Sequence, residues 1–295
     1  MAIITLCSAS GSPGVSTTAL GLALTWPRPV ILVEADPSGS QAILSGYYRG
    51  SKEPAPGQKS IPGLLELSVE ARQGRLQEQL PLMLMDEPKT NAKLLLGTAS
   101  HVQNVVLTRL WDDLLLELQS LTAKTGQDVI VDAGRLGLEG SPAPFVRRSD
   151  VTLLLARSTV RDFVGARSWA HSLIEGSAVG RYVGVVVVGP GRPYGVREAS
   201  LAMGVRAGSD LTKMPILGGV DWAPRHAASL SDGEAFPKAW WQFWKQAGSQ
   251  RDFDRSGFMR SIRALGEAAR TQVQRIEEEM GAPSASDLAQ WEGTR

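Results

Sequence analysis

The chain has one cysteine, Cys7, and three histidines among its 295 residues. A lone thiol excludes an intramolecular disulfide framework and suits a reducing compartment. Cys7 lies in an apolar stretch, where a buried, inert thiol is expected. His101, His171 and His226 lack the spacing of metal ligands, so no zinc site is expected. Long hydrophobic runs are missing: no stretch approaches the roughly 20 apolar residues of a membrane span. No basic region precedes a hydrophobic one at the N-terminus, so neither a signal peptide nor a membrane anchor is expected, and the reading is cytoplasmic. Neither sign of charge is in excess. A net charge of +1 gives no global field toward nucleic acid or acidic lipid. Arg147, Arg148 and the group from Arg251 to Arg263 are too sparse for a nucleic-acid-binding stripe and read as solvated faces. No internal repeat is seen.

What is present is ordinary for a soluble globular chain, with 43% apolar and 21% charged residues. The length allows one large α/β domain or two small ones, with a sizeable core. The expectation is one domain over residues 1–280 and a polar, disordered tail over 281–295.

The chain is organised around Leu6-Cys7-Ser8-Ala9-Ser10-Gly11-Ser12-Pro13-Gly14-Val15-Ser16-Thr17-Thr18. An apolar run, Ala2 to Leu6, enters this stretch and a helical pattern, Thr17 to Trp26, leaves it. Strand, small-residue loop and helix form the frame in which backbone N–H groups wrap a phosphate. A phosphate-binding lysine belongs just before the Ser/Thr that closes such a loop, and here that position is Val15. A Gly/Ser turn with Ser16 as helix N-cap has the same local pattern.

Downstream, strand and helix signals alternate. Pro29 to Val33, Asp128 to Asp132, Val151 to Ala156 and Tyr182 to Gly189 are short runs rich in β-branched residues, as expected of strands buried on both faces. Leu94 to Gly97 is a shorter candidate, and Tyr182 to Gly189, the strongest, is expected to be central. Residues 41–60 read as a loop. Gly63 to Arg72, Val105 to Leu121, Arg161 to Ile174 and Phe253 to Met280 recur apolar at helical spacing. Acids close two of the strands: Glu34 and Asp36 in one, Asp132 in the other. Such alternation implies a three-layer, doubly wound, mainly parallel sheet, whose strands carry ligand sites at their carboxyl ends.

The loop, with Glu34-Ala-Asp36-Pro-Ser-Gly39 and Asp132-Ala-Gly134-Arg135 in order behind it, resembles the deviant Walker A box and switches of the ParA/MinD family of P-loop ATPases. The resemblance runs from about residue 2 to about residue 280. It implies a nucleotide site at Ser10, Gly11, Ser12, Pro13, Gly14, Val15, Ser16, Thr17 and Gly134. It also implies magnesium held by Ser16, Asp36 and Asp132, with Asp36 as the catalytic acid if the protein is active. Gly189, Asp221, Trp222 and Pro224 fall on the base side. The family's two lysines fall on Ser10 and Val15, and its adenine-reading Asn falls on Gly189.

Phosphoryl transfer depends on positioned positive charge, so the loss of both lysines implies weak or no binding of ATP and magnesium and no significant hydrolysis. The function implied is that of a degenerate member, a positioning or assembly scaffold for a pilus or secretion apparatus (TadZ/CpaE-like). It would be a homodimer with a protein partner in that machine. The alternative is a working ATP-dependent dimerisation switch in which Arg135 or Arg192 replaces the lysines.

Aromatics are scarce, at 6%, yet Trp240, Trp241, Phe243 and Trp244 crowd one segment. Three tryptophans so placed cannot all face one side of a helix, so Ala235 to Lys245 is expected to meet a partner.

Overall fold

The β-branched runs become strands because neighbouring side chains on each can bury against different helix layers. The computed structural model describes residues 2–11, 13–54, 60–175, 181–207, 210–212, 215–238 and 247–281. The strands are β1 (Ile3–Ser8), β2 (Val30–Glu34), β3 (Met85–Asp86), β4 (Ala92–Leu95), β5 (Asp128–Arg135), β6 (Val151–Arg157), β7 (Tyr182–Val188), β8 (Val205–Ala207), β9 (Asp210–Thr212) and β10 (Ile216–Val220). The helices are α1 (Val15–Thr25), α2 (Leu64–Arg72), α3 (Leu76–Gln79), α4 (Asn104–Leu107), α5 (Leu110–Thr125), α6 (Ala143–Arg148), α7 (Val160–Glu175), α8 (Val196–Ala202), α9 (Pro224–Ser231), α10 (Gln250–Asp254) and α11 (Gly257–Glu279).

Eight strands form one sheet in the order β10-β7-β6-β1-β5-β2-β4-β3. All neighbours run parallel except β3 and β4. Alternation along the strands sorts the core. Ile4, Leu6, Leu32, Ile130 and Leu153 face α1 and α11, meeting Ala19, Leu22, Ile262 and Leu265. Ile3, Ile31, Val33, Val129 and Val131 face the opposite layer, against Leu67 of α2 and Trp111, Leu114 and Leu118 of α5. Cys7, Ala133, Leu154 and Val187 meet Phe163, Ala166 and Ala170 of α7 on that second side. Helices thus cover both faces, as the doubly wound reading requires.

β1 is flanked by β5 and β6, so the loop that follows β1 opens where β1 leads toward β2 on one side and β6 leads toward β7 on the other. A reversal of this kind leaves a crevice at the carboxyl ends of the strands. Cys7 is fully buried, and burial pushes its thiol up to about 12.

Five expectations are corrected. β7, expected to be central, lies one strand in from the β10 edge. Its run is apolar because helices cover both faces, and that cover does not require a central place. The helix expected over Val105 to Leu121 is two, α4 and α5, and the one over Phe253 to Met280 is also two, α10 and α11. There Ser256 caps the second by accepting from Met259 N–H at 3.2 Å. Residues 41–60, read as loop, include a π-helical turn at Ile43–Tyr47. Ser16 is not the N-cap of α1; Gly14 is, in the left-handed region at φ 89° and without a side-chain cap. The tail expected over 281–295 lies, beyond Gly281, outside the described residues, as do Ser12, Trp240, Trp241, Phe243 and Trp244.

Candidate nucleotide-site cradle

Gly11 and residues Pro13 to Thr17 lie at the mouth of β1. The first helical bond of α1 runs from Thr18 N–H to Gly14 O at 2.9 Å. The N–H groups of Val15, Ser16 and Thr17 come before it, so they have no partner within the helix. They form the floor of a cavity of about 520 Å³ lined by Gly11, Pro13, Gly14, Val15, Ser16 and Thr17, with Asp36, Gly134, Arg135 and Leu138 opposite. The positive end of α1 faces into it.

The two switch-like segments close on one another beside this floor. Ala35 N–H reaches Asp132 O at 2.8 Å, extending the β2/β5 ladder by one residue. Asp36 is half-buried and folds into a turn, with Oδ1 accepting from Ser38 N–H at 2.9 Å. Its carboxyl lies directly over Gly134, which sits at φ 58°. A Cβ on that residue would fall 2.2 Å from Asp36 Oδ1 and 2.8 Å from Asp36 Cβ. We expect Gly134→Ala to displace Asp36 and lower stability by roughly 2 kcal/mol, through strain and contact together. Denaturant unfolding checks it, and a loss below about 0.5 kcal/mol would show that nothing holds Asp36 there.

Asp132 lies under the floor, fully buried. Oδ1 accepts from Gly134 N–H at 3.0 Å, while Oδ2 is buried with no hydrogen-bond partner. Burial pushes this carboxyl up to about 7, and the charge of Asp36, with Glu34 behind it, pushes the same way. The Ser16 hydroxyl and the Gly134 N–H oppose the rise. Ser16 is near enough to matter electrostatically, though it makes no hydrogen bond to the orphaned Oδ2.

Glu34 has a different role from the one its place in the strand-end pattern implies. Its side chain turns into the protein at 3% exposure. Oε1 accepts from Ile43 N–H and Oε2 from Gly97 N–H, each at 3.1 Å. It therefore ties the turn after β2 to the chain leaving β4. Asn104 performs a similar service, donating to Pro37 O at 2.6 Å and accepting from Thr98 Oγ1 at 2.8 Å.

The lysine positions are both accounted for. Val15 is 6% exposed and packs into the cluster that holds Leu6, Ala19 and Leu155. Ser10 does not line the cavity; its hydroxyl donates to Asp162 Oδ1 on α7 at 2.5 Å. Of the two candidate substitutes, Arg135 lines the cavity and Arg192 does not.

A second cavity, of about 260 Å³, shares Pro13, Gly14 and Thr17 with the first. Asp221, Trp222 and Pro224 line it, so the base-side loop lies beside the phosphate-side cradle. Gly189 sits under Trp222: a Cβ there would meet Trp222 Cβ at 3.2 Å. Arg157, which the sequence reading missed, stands at the carboxyl end of β6 with its guanidinium 5.5 Å from the centre of the Trp222 ring. Its place, a cation closing a parallel strand, was the available signal.

With a central β1, its loop, and acids after β2 and within β5 at one end of the sheet, the architecture decides the fold. The fold is that of the ParA/MinD P-loop ATPases. The chain is similar to the cell-division ATPase MinD of Pyrococcus furiosus, with a TM-score of 0.63 and 17% identity over 92% of this chain and 98% of that one. A MinD of Pyrococcus horikoshii, solved with Mg-ADP, gives 0.60 and 15% over 90% and 94%. A plasmid partition protein of Borrelia burgdorferi gives 0.58 and 13% over 92% and 99%. No protein-family model matches the chain, and no curated protein does.

Tested against the magnesium nucleotide that a ParA/MinD fold implies, the residues fit in part. The loop N–H groups, the Ser16 hydroxyl, Asp36 and the unpartnered Oδ2 of Asp132 fit. The cation positions do not, because Val15 and Ser10 bring none. Among the described residues, no group of three or more His, Cys, Asp or Glu side chains is placed to hold a metal ion. No helix among them is long and apolar enough to cross a membrane.

Proposed function

We propose that this chain is a degenerate ParA/MinD-like P-loop protein. It acts as a positioning or assembly scaffold for a cellular machine of the pilus or secretion type, binding Mg-ATP weakly or not at all and not hydrolysing it at a useful rate. The observation that carries the reading is Val15, packed into the core where a phosphate-binding lysine would reach into the cavity. Among the described residues, Arg135 is then the one cationic side chain lining the phosphate side, and it shares the site with Asp36, with Asp132 buried beside it. Losing one preorganised charge-stabilising group costs roughly 3 kcal/mol of barrier, and two are missing here.

Related folds support the wider setting: a MinD of Aquifex aeolicus was solved in complex with MinC, and the Borrelia protein partitions plasmids. In this reading the chain is a cytoplasmic homodimer, recruited to a membrane-bound machine through a protein partner. The aromatic segment with Trp240, Trp241 and Trp244 is proposed as the contact.

When bound, a nucleotide would supply a polyanion that changes how the two switch segments pack. The loop N–H groups and Arg135 would hold its phosphates, and Ser16, Asp36 and Asp132 would hold the metal. Arg135 also favours a second reading, an active switch in which this guanidinium stands in for lysine.

Calorimetric titration with Mg-ATP, beside size measurement with and without nucleotide, separates the two. Wild type is expected to bind weakly at most and to hydrolyse at background rate. Val15→Lys is expected to tighten Mg-ATP by about tenfold or more, its stem running out of the core and its ammonium entering the cavity. A robust magnesium-dependent ATPase activity in wild type, lost in Asp132→Ala, would overturn the degenerate reading. A folded Val15→Lys with unchanged affinity would show that the loop no longer forms a phosphate cradle.

A further inference from the structure

At the start of the loop, Ser10 Oγ donates to Asp162 Oδ1 at 2.5 Å. Asp162 belongs to the first turn of α7, the helix that follows β6. Its other oxygen accepts from Thr159 Oγ1 at 2.9 Å, and its own N–H donates to that hydroxyl at 3.2 Å. Both carboxylate oxygens are thus held by neutral hydroxyls. Among the described residues, no lysine, arginine or histidine is ion-paired with Asp162.

We propose that Asp162 is a specificity-determining residue of the cradle: from the first turn of α7 it holds the Ser10 end of the loop and sets beside it a negative charge, with no ion-paired side chain among the described residues, which biases the site against polyphosphate. The inference rests on the reading of the loop as a lysine-free cradle. Asp36 already stands on the cavity wall. Among the described residues that line the cavity, Arg135 is the one cation opposing it. A carboxylate bonded to the residue next to Gly11 acts on an entering anion from a distance set by the loop, and it does so without touching the anion. Asp162 is therefore a positioning and charge-setting group.

The contact also bears on how the loop would respond to a restored cation. A lysine placed at position 10 would meet the Asp162 carboxylate first. Ser10→Lys alone therefore gains little, and its effect on an anion is released only when Asp162 is neutral.

The test uses the full chain and inorganic pyrophosphate, titrated by calorimetry at low salt. Asp162→Asn keeps an acceptor for Ser10 and removes the charge. It is expected to bind pyrophosphate about five times more tightly than wild type, the order of one unit charge acting through a partly solvated gap. The gain is expected to fall below about twofold at 0.5 M salt, since the contribution is electrostatic. Ser10→Ala, which breaks the bond and keeps the charge, is expected to stay within about twofold of wild type. The double variant Ser10→Lys with Asp162→Asn is expected to exceed the product of the two single effects. Thermal unfolding confirms that each variant is folded.

An Asp162→Asn affinity within twofold of wild type, or no measurable binding by either protein, overturns the proposal. A gain in Ser10→Ala equal to that in Asp162→Asn also overturns it, by showing that loop release and not charge governs entry. These outcomes are separate from the fate of the wider reading, which falls on wild-type ATPase activity whatever the ratio between these variants.

Discussion

Asp132→Asn is expected to make the protein more stable at pH 8, by up to roughly 4 kcal/mol, and to change its stability little near pH 4. The cause is a carboxyl buried under the loop floor, raised to about 7 chiefly by burial and then by the charge of Asp36. An unfolded aspartate titrates near 3.9. Between those two values the folded state holds a proton that the unfolded state has given up. Stability due to this group is therefore fully present below about pH 4, falls as the pH rises, and levels off above about pH 7. The gap between the two titration points is worth about 4 kcal/mol.

Asparagine carries no charge at any pH, so it removes the slope; its Oδ1 can still accept from Gly134 N–H. The measurement is denaturant unfolding of both proteins from pH 4 to pH 8 in the presence of a chelator. The difference between them isolates Asp132 from Glu34 and Asp150, whose carboxyls are also raised. A wild-type minus variant difference that stays flat across the range would show that Asp132 is ionised throughout.

Glu34→Ala is the second large effect, a loss of roughly 3 kcal/mol. Removing the side chain leaves two buried N–H groups, those of Ile43 and Gly97, without acceptors and opens a void beneath the switch segment. Each orphaned buried donor costs about 1–3 kcal/mol, and the void adds to that. Glu34→Gln keeps one acceptor oxygen and the volume, so its expected loss is about half as large. Both are read by chemical denaturation, with hydrogen exchange at Ile43 and Gly97 as the local report. A Glu34→Ala variant as stable as wild type, with unchanged exchange at those amides, would refute the tie and return Glu34 to the part of a switch acid.

Much of the architecture was legible because its causes are local. Apolar runs of strand length closed by acids, separated by helical periodicity, specify a doubly wound parallel sheet through burial on both faces. The strand–loop–helix frame was legible for a similar reason: small residues between an apolar run and a helical pattern mark a tight turn, and the spacing of Asp36 and Asp132 put both at strand ends. Gly11, Gly14, Val15, Ser16, Thr17, Asp36 and Gly134 do share one cavity, and Asp221, Trp222 and Pro224 line the next. The absence of lysine at positions 10 and 15 was a plain fact of the sequence.

What the chain does at those two positions was decided by tertiary structure, because burial and pairing over long separations leave no periodic trace. Val15 turns into the core, and Ser10 finds Asp162 across 152 positions of sequence. Glu34 and Asp36 are two residues apart at a strand end, where side chains alternate, yet only Asp36 reaches the cavity while Glu34 ties buried amides. Burial, and then the charge of Asp36, raise the Asp132 carboxyl to about 7, a consequence of packing that no spacing in the sequence encodes. The sequence by itself determined the strand–loop–helix frame and the absence of lysine at positions 10 and 15. The fold determined which acids face the cradle and which hold it together, since hydrogen-bond partners and dielectric surroundings exist only once the layers have packed.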